Sequence, residues 1–307
     1  MSALHIQTPL LKSLRLSEKV SGDVWLKMEA MQPTGSFKIR GIGHACREMV
    51  KRGSKELVSS SGGNAGLAVA YAGRHLGVPV RVIMPESTTE RARDLIRKEG
   101  ADVIVHGVTW YEAHQQAMRL SERGAAYLHP FDDPLIWTGH STLIDEIVAS
   151  GLKPDLVVTS VGGGGLLSGI MEGIDRHGWR DVPVIAVETE GADAFHRSVE
   201  AGRLIELEKI DSVATSLGAR MVCRQALDWT RRHDIQSVVV SDRDAVTSCV
   251  RFLDDHRVLV EPACGASLAV VYDPIEAVRR RKVVLIIVCG GVTTTHQQLR
   301  EWLEQGI

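Results

Sequence analysis

The chain has 307 residues, and its 36 Lys and Arg side chains against 38 Asp and Glu give a formal net charge of −2. No Lys/Arg-rich run stands out, so charge gives no support to a nucleic-acid or membrane partner. The N-terminus lacks the basic start and apolar core of a signal peptide, and the apolar run 283–288 is too short to span a bilayer. The five cysteines form no CxxC pair, which is typical of a reducing compartment. We therefore expect a soluble cytoplasmic protein.

Short apolar segments alternate with helical patterns along almost the whole chain. The predicted strands are 24–28, 57–60, 80–84, 103–106, 125–128, 156–160, 184–187, 238–240 and 283–288. The predicted helices are 41–50, 64–76, 88–99, 110–123, 141–150, 166–176, 193–200, 223–230, 244–256, 263–271 and 296–304. Strands that are apolar on both faces and are separated by single helices indicate parallel sheets covered on both sides. The sequence therefore predicts the α/β class.

The order of the units predicts two domains. Four βα units between 41 and 143 would form a small inserted α/β domain, and residues 1–40 would join 144–307 in the larger one. No Pro/Ser-rich linker, tandem repeat or low-complexity segment marks the junctions. Ligands of open α/β sheets bind at the carboxyl ends of strands, so we expect the chemistry in the loops that follow strands.

Lys38 lies in Pro33-Thr-Gly-Ser-Phe-Lys38-Ile-Arg40, between a predicted strand and a predicted helix. A lysine amine can form a Schiff base with an aldehyde, and burial lowers its pKa so that the neutral nucleophile becomes accessible. A solvated lysine that opens a helix is the alternative, and for a single lysine it is the more common case. The loops downstream decide between the two.

The loop Ser59-Ser-Ser-Gly-Gly-Asn-Ala-Gly66 joins a strand to a helix. Its glycines allow a ligand to approach the backbone, its hydroxyl and amide groups are donors, and a helix N-terminus favours an anion. A substrate carboxylate would suit this loop. A plain helix cap that uses Asn64 explains the pattern about equally well.

Four glycines, Gly162 to Gly165, stand between the strand 156–160 and the helix 166–176. Consecutive glycines in such a turn expose backbone N–H groups that form a nest for a phosphate. The segment is not a Walker A loop, because no Gly-Lys-Ser/Thr follows, and it lacks the GxGxxG spacing of dinucleotide-binding proteins. The pattern favours a phosphate-bearing ligand other than a dinucleotide.

Several further residues at strand ends have two interpretations. Cys289 follows the last apolar strand and would point into a cleft, although a buried core cysteine is more common. Glu188 follows the strand 184–187 and is either a cation ligand or a charge at a helix start. Asp132 and Asp133 lie in a turn bounded by prolines, and we interpret them as structural. The twelve histidines form no recognisable metal motif, and most are expected at the surface.

Three predicted features together indicate a pyridoxal phosphate enzyme that acts on an amino acid: an amine that can react with an aldehyde, a nest for a phosphate and a loop that can bind a carboxylate. The segments 33–44, 60–66, 131–137, 160–167, 260–266 and 288–291 resemble, in this order, the L-serine dehydratases of the serine/threonine dehydratase family. The resemblance covers nearly the whole chain. It implies the tryptophan-synthase-β-like architecture of fold type II enzymes, with two open, mostly parallel sheets covered by helices, and a homodimer.

The resemblance also implies roles for individual residues. The catalytic residue would be Lys38, which holds the cofactor aldehyde. The other cofactor-binding residues would be Phe37, Asn64, Gly162, Gly163, Gly164, Gly165, Leu166 and Cys289. The substrate carboxylate would be bound by Ser61, Gly62, Gly63, Asn64 and Ala65. A monovalent-cation site for K⁺ would be formed by Glu188 and the backbone of Ala192 and Ser216.

By the same resemblance, the Lys38 amine removes the α-proton of L-serine, the β-hydroxyl leaves, and pyruvate and ammonia are released. L-threonine would give 2-oxobutanoate. A thiol at Cys289 is a weaker partner for the ring nitrogen than a carboxylate, so prompt elimination is favoured over transamination.

Two positions depart from the family pattern. Position 62 is Gly where liver-type serine dehydratases have Ala and serine racemases have Ser, which disfavours racemase activity and is expected to leave more room beside the substrate. Val292-Thr293 replaces a pair in which a polar residue and Asn are more common.

Three alternatives stay open on the residues alone. A threonine-preferring deaminase, or an eliminase of another β-substituted amino acid, would use the same chemistry. A pyridoxal phosphate carrier without turnover would keep Lys38 and the glycines but release no ammonia. A nucleotide-binding oxidoreductase is disfavoured by the missing GxGxxG spacing.

Overall fold

The computed structural model describes residues 2–307, which fold into two compact units. The smaller unit contains the residues up to Ile6 together with Gln32–His140, and the larger contains Gln7–Met31 with Ser141–Ile307. Residues 32–40 thus belong to the smaller unit. The predicted domain division, 1–40 with 144–307 and 41–143, stays a prediction. No helix among residues 2–307 is long and apolar enough to cross a membrane.

The described residues form ten strands and thirteen α-helices. The strands are β1 (Leu10–Ser13), β2 (Asp23–Lys27), β3 (Leu57–Ser59), β4 (Val80–Met84), β5 (Asp102–Val105), β6 (Ala126–Leu128), β7 (Leu156–Ser160), β8 (Val184–Thr189), β9 (Ile235–Val240) and β10 (Val283–Ile287). The helices are α1 (Leu14–Ser17), α2 (Lys38–Lys51), α3 (Asn64–Leu76), α4 (Glu90–Lys98), α5 (Trp110–Ser121), α6 (Pro134–Ala149), α7 (Gly165–Arg176), α8 (Ala194–Ala201), α9 (Arg224–Trp229), α10 (Asp242–His256), α11 (Pro262–Tyr272), α12 (Glu276–Arg279) and α13 (His296–Glu304).

The smaller unit is built on a four-stranded parallel sheet in the order β5-β4-β3-β6. Ser59 pairs with Leu128, so β3 and β6 end side by side and their following loops leave from the same edge. The core on the α5 side contains Val58, Ile83 and Leu120, with small alanines that let the helix approach the sheet.

The larger unit is built on a six-stranded sheet in the order β1-β2-β10-β7-β8-β9. The β1–β2 pair is antiparallel and the other pairs are parallel. Every residue of β7 and β8 is buried, as expected for strands covered on both faces. The α/β class with two mostly parallel sheets is therefore confirmed.

Several boundaries differ from the prediction, and three of these differences illustrate the causes. Helix α2 begins at Lys38 rather than Gly41, because the backbone of Phe37 is already in the helical region (φ −52°, ψ −21°). Helix α6 begins at Pro134, where proline suits the first helical position, and Asp133 accepts a hydrogen bond from the Leu135 N–H at 2.7 Å. Strand β8 continues through Glu188, which pairs with Val239.

Three of the helices and strands escaped the sequence analysis, namely β1, α1 and α12. Strand β1 pairs with β2 at the edge of the larger sheet, and α1 follows it directly. Each of the three is four residues long, so none carries enough residues to show a periodicity.

Candidate active site

Lys38 is the first residue of α2, and its amine is tied to the end of the neighbouring strand β6. Its Nζ donates a hydrogen bond to the carbonyl oxygen of Pro130 at 2.9 Å and lies 5.1 Å from the centroid of the Phe37 ring. Pro130 comes two residues after β6. The amine therefore lies at the carboxyl edge of the smaller sheet, where the loops after β3 and β6 also leave.

His140 supports the segment that carries Lys38. It is fully buried, its Nδ1 accepts a hydrogen bond from the Gly41 N–H at 3.2 Å, and its ring lies 4.8 Å from that of Phe37. Burial holds the pKa of His140 well below its usual value, and the positive charges of Lys38 and Arg40 lower it further. The imidazole is therefore neutral at neutral pH, and its Nε2 finds no hydrogen-bond partner among the described residues.

His129 is the second neutral imidazole near Lys38. Its Nδ1 accepts hydrogen bonds from the N–H groups of Phe131 (3.2 Å) and Asp132 (2.8 Å), which closes the turn after β6. Burial lowers the pKa of His129 to about 4, and the charges of His114 and Lys38 act in the same direction. Protonation would break both backbone contacts, so the turn depends on the uncharged form.

The predicted carboxylate loop is held by its own serine side chains. Ser59 Oγ accepts from the Ser61 N–H at 3.3 Å, and Ser61 Oγ accepts from the Gly63 N–H at 3.3 Å. Helix α3 begins at Asn64, and its first ladder bond runs from the Leu67 N–H to the Gly63 carbonyl. The first turn thus has N–H groups without an intrahelical acceptor, which is the arrangement that binds anions.

The space beside Gly62 is filled rather than open, contrary to the expectation from the sequence. A Cβ at position 62 would lie 2.6 Å from both Oγ1 and Cγ2 of Thr88, and 3.2 Å from the Cβ of Met84. Thr88 follows β4 and so reaches the same loop from the next strand of the sheet. The absent side chain at Gly62 is therefore replaced by the threonine, not by an enlarged cavity.

In the larger unit, the glycine segment has the form of an anion nest. Helix α7 begins at Gly165, and its ladder starts with the Ser168 N–H donating to the Gly164 carbonyl at 2.9 Å. The earlier N–H groups of this turn have no intrahelical acceptor. The hydroxyl of Ser160, which ends β7, is buried and has no hydrogen-bond partner among residues 2–307. These groups form a set of donors suited to a phosphate.

Gly164 is the one position in this nest that requires glycine for its backbone. Its φ is +87°, and a Cβ there would lie 2.6 Å from the Cβ of Ala226 and 3.1 Å from Sγ of Cys223. The Cys223 N–H also donates to the Gly163 carbonyl at 3.0 Å. The start of α9 is therefore packed directly against the nest, and a side chain at Gly164 would force the two apart.

Cys289 follows β10 and lies in a cluster of buried thiols. A hydrogen bond with Cys264 and burial, together with the nearby Glu261 and Cys249, raise the pKa of the Cys289 thiol well above its usual value. The thiol is therefore protonated at neutral pH. Thr293, at one of the two positions that depart from the family pattern, donates to Glu261 Oε2 at 2.8 Å and braces the loop after Cys289.

Glu188 lies within β8 and is fully buried. Its Oε1 and Oε2 accept hydrogen bonds from the N–H groups of Phe195 (2.9 Å) and His196 (2.7 Å) at the start of α8. Burial raises the pKa of Glu188 to about 8, and these two hydrogen bonds oppose that shift.

The other two predicted cation ligands are backbone groups. Ala192 donates its N–H to the Thr189 carbonyl, and the backbone oxygen of Ser216 lies against Gly162. No group of three or more His, Cys, Asp or Glu side chains suited to a metal ion occurs among residues 2–307.

The predicted residues therefore gather at two sheet edges. Lys38, Phe37 and the segment 61–65 lie in the smaller unit, and 162–166, Glu188, Ala192, Ser216 and Cys289 lie in the larger. The sequence analysis missed Thr88, His129 and His140. Only His129 had a visible signal, because it directly follows a predicted strand.

Comparison with known proteins defines the relatives of the chain. A family model described as "Pyridoxal-phosphate dependent enzyme" matches residues 1–290. An L-serine dehydratase of Dictyostelium discoideum is 44% identical over 322 residues, covering 98% of this chain and 92% of that protein. A human L-serine dehydratase/L-threonine deaminase is 46% identical over 313 residues, covering 98% and 95%. The crystal structure of a fungal L-serine ammonia-lyase from Rhizomucor miehei matches with a TM-score of 0.94 and 38% identity, covering 100% of both chains.

The fold and the site are those of a cofactor-dependent α/β enzyme. They combine two mostly parallel sheets, a lysine at the start of a helix and a glycine nest at the end of a strand. The chain belongs to the family of pyridoxal-phosphate-dependent enzymes, within its serine/threonine dehydratases. The donors present fit that cofactor: an amine at Lys38 suits its aldehyde, and the glycine amides with the unpartnered Ser160 hydroxyl suit its phosphate.

The neutral state of His129 predicts acid sensitivity. A folded-state pKa of about 4, below the usual 6.5, means that the unfolded chain binds the proton more readily between these values. The stabilisation is present above about pH 6.5 and is lost as the pH falls toward 4. Between pH 7.5 and pH 5 this group should lower the free energy of unfolding by about 2 kcal/mol. Urea unfolding at both pH values measures this change for the wild type and for His129→Asn, whose amide oxygen still accepts hydrogen bonds from the backbone.

The variant should lose less stability than the wild type over this pH range. The exposed His106→Asn serves as the matched control and should follow the wild type. Parallel pH curves for the wild type and His129→Asn would contradict the assignment.

The packing around Gly164 predicts a specific loss of cofactor affinity. Gly164→Ala should raise the Kd for pyridoxal phosphate at least about tenfold, because the added Cβ meets Ala226 and distorts the nest. Gly178→Ala is the matched control, since Gly178 also has a positive φ (+69°) but nothing within 4 Å of its added Cβ. Absorbance titration of each apoprotein with pyridoxal phosphate measures the two Kd values. The unfolding midpoints of both variants are recorded alongside. Equal Kd values for the two variants would refute a phosphate role for this segment.

Proposed function

We propose that this chain catalyses the pyridoxal-phosphate-dependent β-elimination of L-serine to pyruvate and ammonia, and of L-threonine to 2-oxobutanoate. The observation that carries the proposal is the amine of Lys38, held at a sheet edge by Pro130 in a chain nearly coextensive with an L-serine dehydratase and an L-serine dehydratase/L-threonine deaminase. The similarity to a solved L-serine ammonia-lyase over the whole chain supports the same reaction.

The cofactor would be held by Lys38 at its aldehyde, by Gly162–Gly165 and Leu166 at its phosphate, and by Phe37, Asn64 and Cys289 at its ring. When bound, it supplies an electron-withdrawing ring that stabilises negative charge at the α-carbon of the amino acid. Ser61, Gly62, Gly63, Asn64 and Ala65 would bind the substrate carboxylate. The position of this segment at the N-terminus of α3, where backbone N–H groups point away from the helix, supports this assignment.

The chain's own residues account for the movement of protons. The Lys38 amine would take the α-proton. The hydrogen bond that this amine donates to the Pro130 carbonyl fixes the orientation of the rest of the amine group. The neighbouring imidazoles of His129 and His140 are neutral, so they add no positive charge that would raise the energy of a protonated lysine. A protonated thiol at Cys289 would leave the ring nitrogen without a strong anionic partner, which favours loss of the β-hydroxyl.

Removal of the amine tests this function. Lys38→Ala should abolish pyruvate formation from L-serine and the yellow colour of the purified protein, because it removes the amine that would hold the cofactor aldehyde and take the α-proton. Lys51→Ala, at the far end of the same helix, is the matched control and should retain full activity. Coupled assays of keto-acid product on L-serine and L-threonine measure the activity and rank the two substrates. Undiminished turnover in Lys38→Ala would overturn the function, and a coloured wild-type protein without product would indicate a carrier.

We propose further that a monovalent cation, K⁺, binds at Glu188 and the backbone of Ala192 and Ser216. A carboxylate has about four lone-pair sites, and the amides of α8 use two of them at Glu188. Carboxylate and carbonyl oxygens are the ligands that such hard cations prefer. A bound cation would also offset the cost of an ionised carboxylate in this buried position.

Replacement of the cation tests that site. Activity should rise severalfold when K⁺ replaces tetramethylammonium at constant ionic strength, and Glu188→Gln should remove the response because its amide carries no charge. The exposed Glu190→Gln is the control and should keep the response. Equal wild-type activity in both salts would refute the cation site.

We also propose a cytoplasmic location and a homodimer. All five cysteines are buried and form no disulfide among the described residues, which suits a reducing compartment. Leu11 lies in the edge strand β1 and Leu14 begins α1 directly after it, and they are 46% and 71% exposed, as expected for a contact surface. Sedimentation equilibrium that returns a monomer at micromolar concentration would contradict the dimer.

A further inference from the structure

A chain of hydrogen-bonded side chains ends at the predicted carboxylate loop. The hydroxyl of Tyr127 lies 2.8 Å from Ser60 Oγ on one side and 2.8 Å from His114 Nδ1 on the other. Ser60 is fully buried and directly precedes Ser61, the first residue of the loop. The three side chains therefore connect the loop to helix α5.

The sheet register brings these residues together. Tyr127 pairs with Val58 in the β3–β6 ladder, so its side chain lies beside the end of β3, where Ser60 begins the loop. His114 projects from α5 toward Tyr127, and the ring of Trp110 stacks on the imidazole at 4.9 Å with an interplanar angle of 14°. Trp110 itself is 41% exposed. His114 itself is partly exposed, so solvent reaches the outer end of the hydrogen-bonded chain.

His114 is the member of this cluster that can gain a positive charge by taking up a proton. Burial raises the pKa of Tyr127 to about 12, which keeps the phenol neutral. Two groups face His114: the Tyr127 hydroxyl and the imidazole of His129. The ring centroids of His114 and His129 lie 6.3 Å apart. On the other side of His129, the charge of Lys38 lowers the pKa of His129. Burial lowers the pKa of both imidazoles, that of His129 to about 4, and His114 is the less buried of the two.

The protonation state of His114 sets the direction of both hydrogen bonds. With Nδ1 unprotonated, Tyr127 donates to His114, and its oxygen accepts the proton of the Ser60 hydroxyl. With Nδ1 protonated, His114 donates to Tyr127, and Tyr127 donates to Ser60. The Ser60 O–H is then released to point toward the loop. In that state both the hydroxyl dipole and the imidazolium charge favour a bound anion.

We propose that Tyr127 is a positioning residue for the loop 61–65, and that it transmits the charge state of His114 to the substrate carboxylate through Ser60. The proposal rests on the proposed function, which assigns the carboxylate to this loop. It adds two residues, Tyr127 and His114, that do not touch the substrate but determine how tightly it is bound.

Steady-state kinetics of Tyr127→Phe test the positioning role. Loss of the hydroxyl leaves Ser60 without its partner, so KM for L-serine should rise about fivefold to tenfold while kcat stays within about twofold. Tyr111→Phe, on the exposed face of α5, is the matched control and should keep the wild-type KM. An unchanged KM in Tyr127→Phe, or a fall in kcat as large as the rise in KM, would overturn the role.

The pH profile separates transmission from simple packing. His114→Asn retains an acceptor at the Nδ1 position but does not titrate, so its KM should match the wild type near pH 8. As the pH falls toward 5.5, the wild-type KM should become severalfold lower than that of His114→Asn. This difference should become smaller in the Tyr127→Phe background, where only the direct effect of the imidazolium charge remains. Identical KM profiles of wild type and His114→Asn would refute transmission.

A readout without turnover distinguishes this proposal from the proposed function. Imidazole ¹⁵N NMR should show that the His114 titration shifts in Tyr127→Phe, because the hydrogen bond to Nδ1 is lost. An unchanged titration would overturn the hydrogen-bonded chain. A wild-type protein that forms no keto acid, with the NMR shift present, would instead refute the proposed function and the loop assignment that depends on it.

Discussion

The arrangement of parallel strands is the constraint on which the remaining structure depends. Neighbouring parallel strands end at the same edge, so the loops that follow them are brought together whatever their distance along the chain. In the smaller sheet, the Ser59–Leu128 pair aligns the ends of β3 and β6. In the larger sheet, Ser160 pairs with Val187, so the glycine nest and the end of β8 share an edge. Most of the candidate residues follow strands or begin helices at these edges, and Glu188 lies within β8 itself.

Burial gives these edges a second common property, which is the absence of charge on most of their titratable groups. His129 and His140 are held neutral, and the thiol of Cys289 is held protonated. The phenol of Tyr127 is neutral for the same reason. Hydrogen-bond geometry therefore orients the groups around Lys38, and a charged group introduced by substrate or cofactor would meet little screening by solvent.

The local patterns in the sequence were sufficient for most elements. Helix α3 and strands β4 and β7 have the bounds that the apolar pattern predicts, because clear turn residues flank each of them. The pattern was insufficient where an element is short or where its start depends on neighbours. Strand β1 is stabilised by its pairing with β2, and the start of α2 depends on the backbone of Phe37. The interpretation of Gly62 failed because Thr88, from the next strand, occupies the space.

The sequence by itself determined the α/β class, the family, and the positions of Lys38 and the glycine segment at strand-to-helix junctions. These features depend on periodicity, on glycine and on residues adjacent in the chain. Only the tertiary structure decided which groups surround them. The Lys38 amine bonds to a carbonyl 92 residues away, and Ser60 is linked to Tyr127 across 67 residues. Burial of the histidines, and hence their charge, likewise depends on packing between distant segments, which a linear pattern does not record.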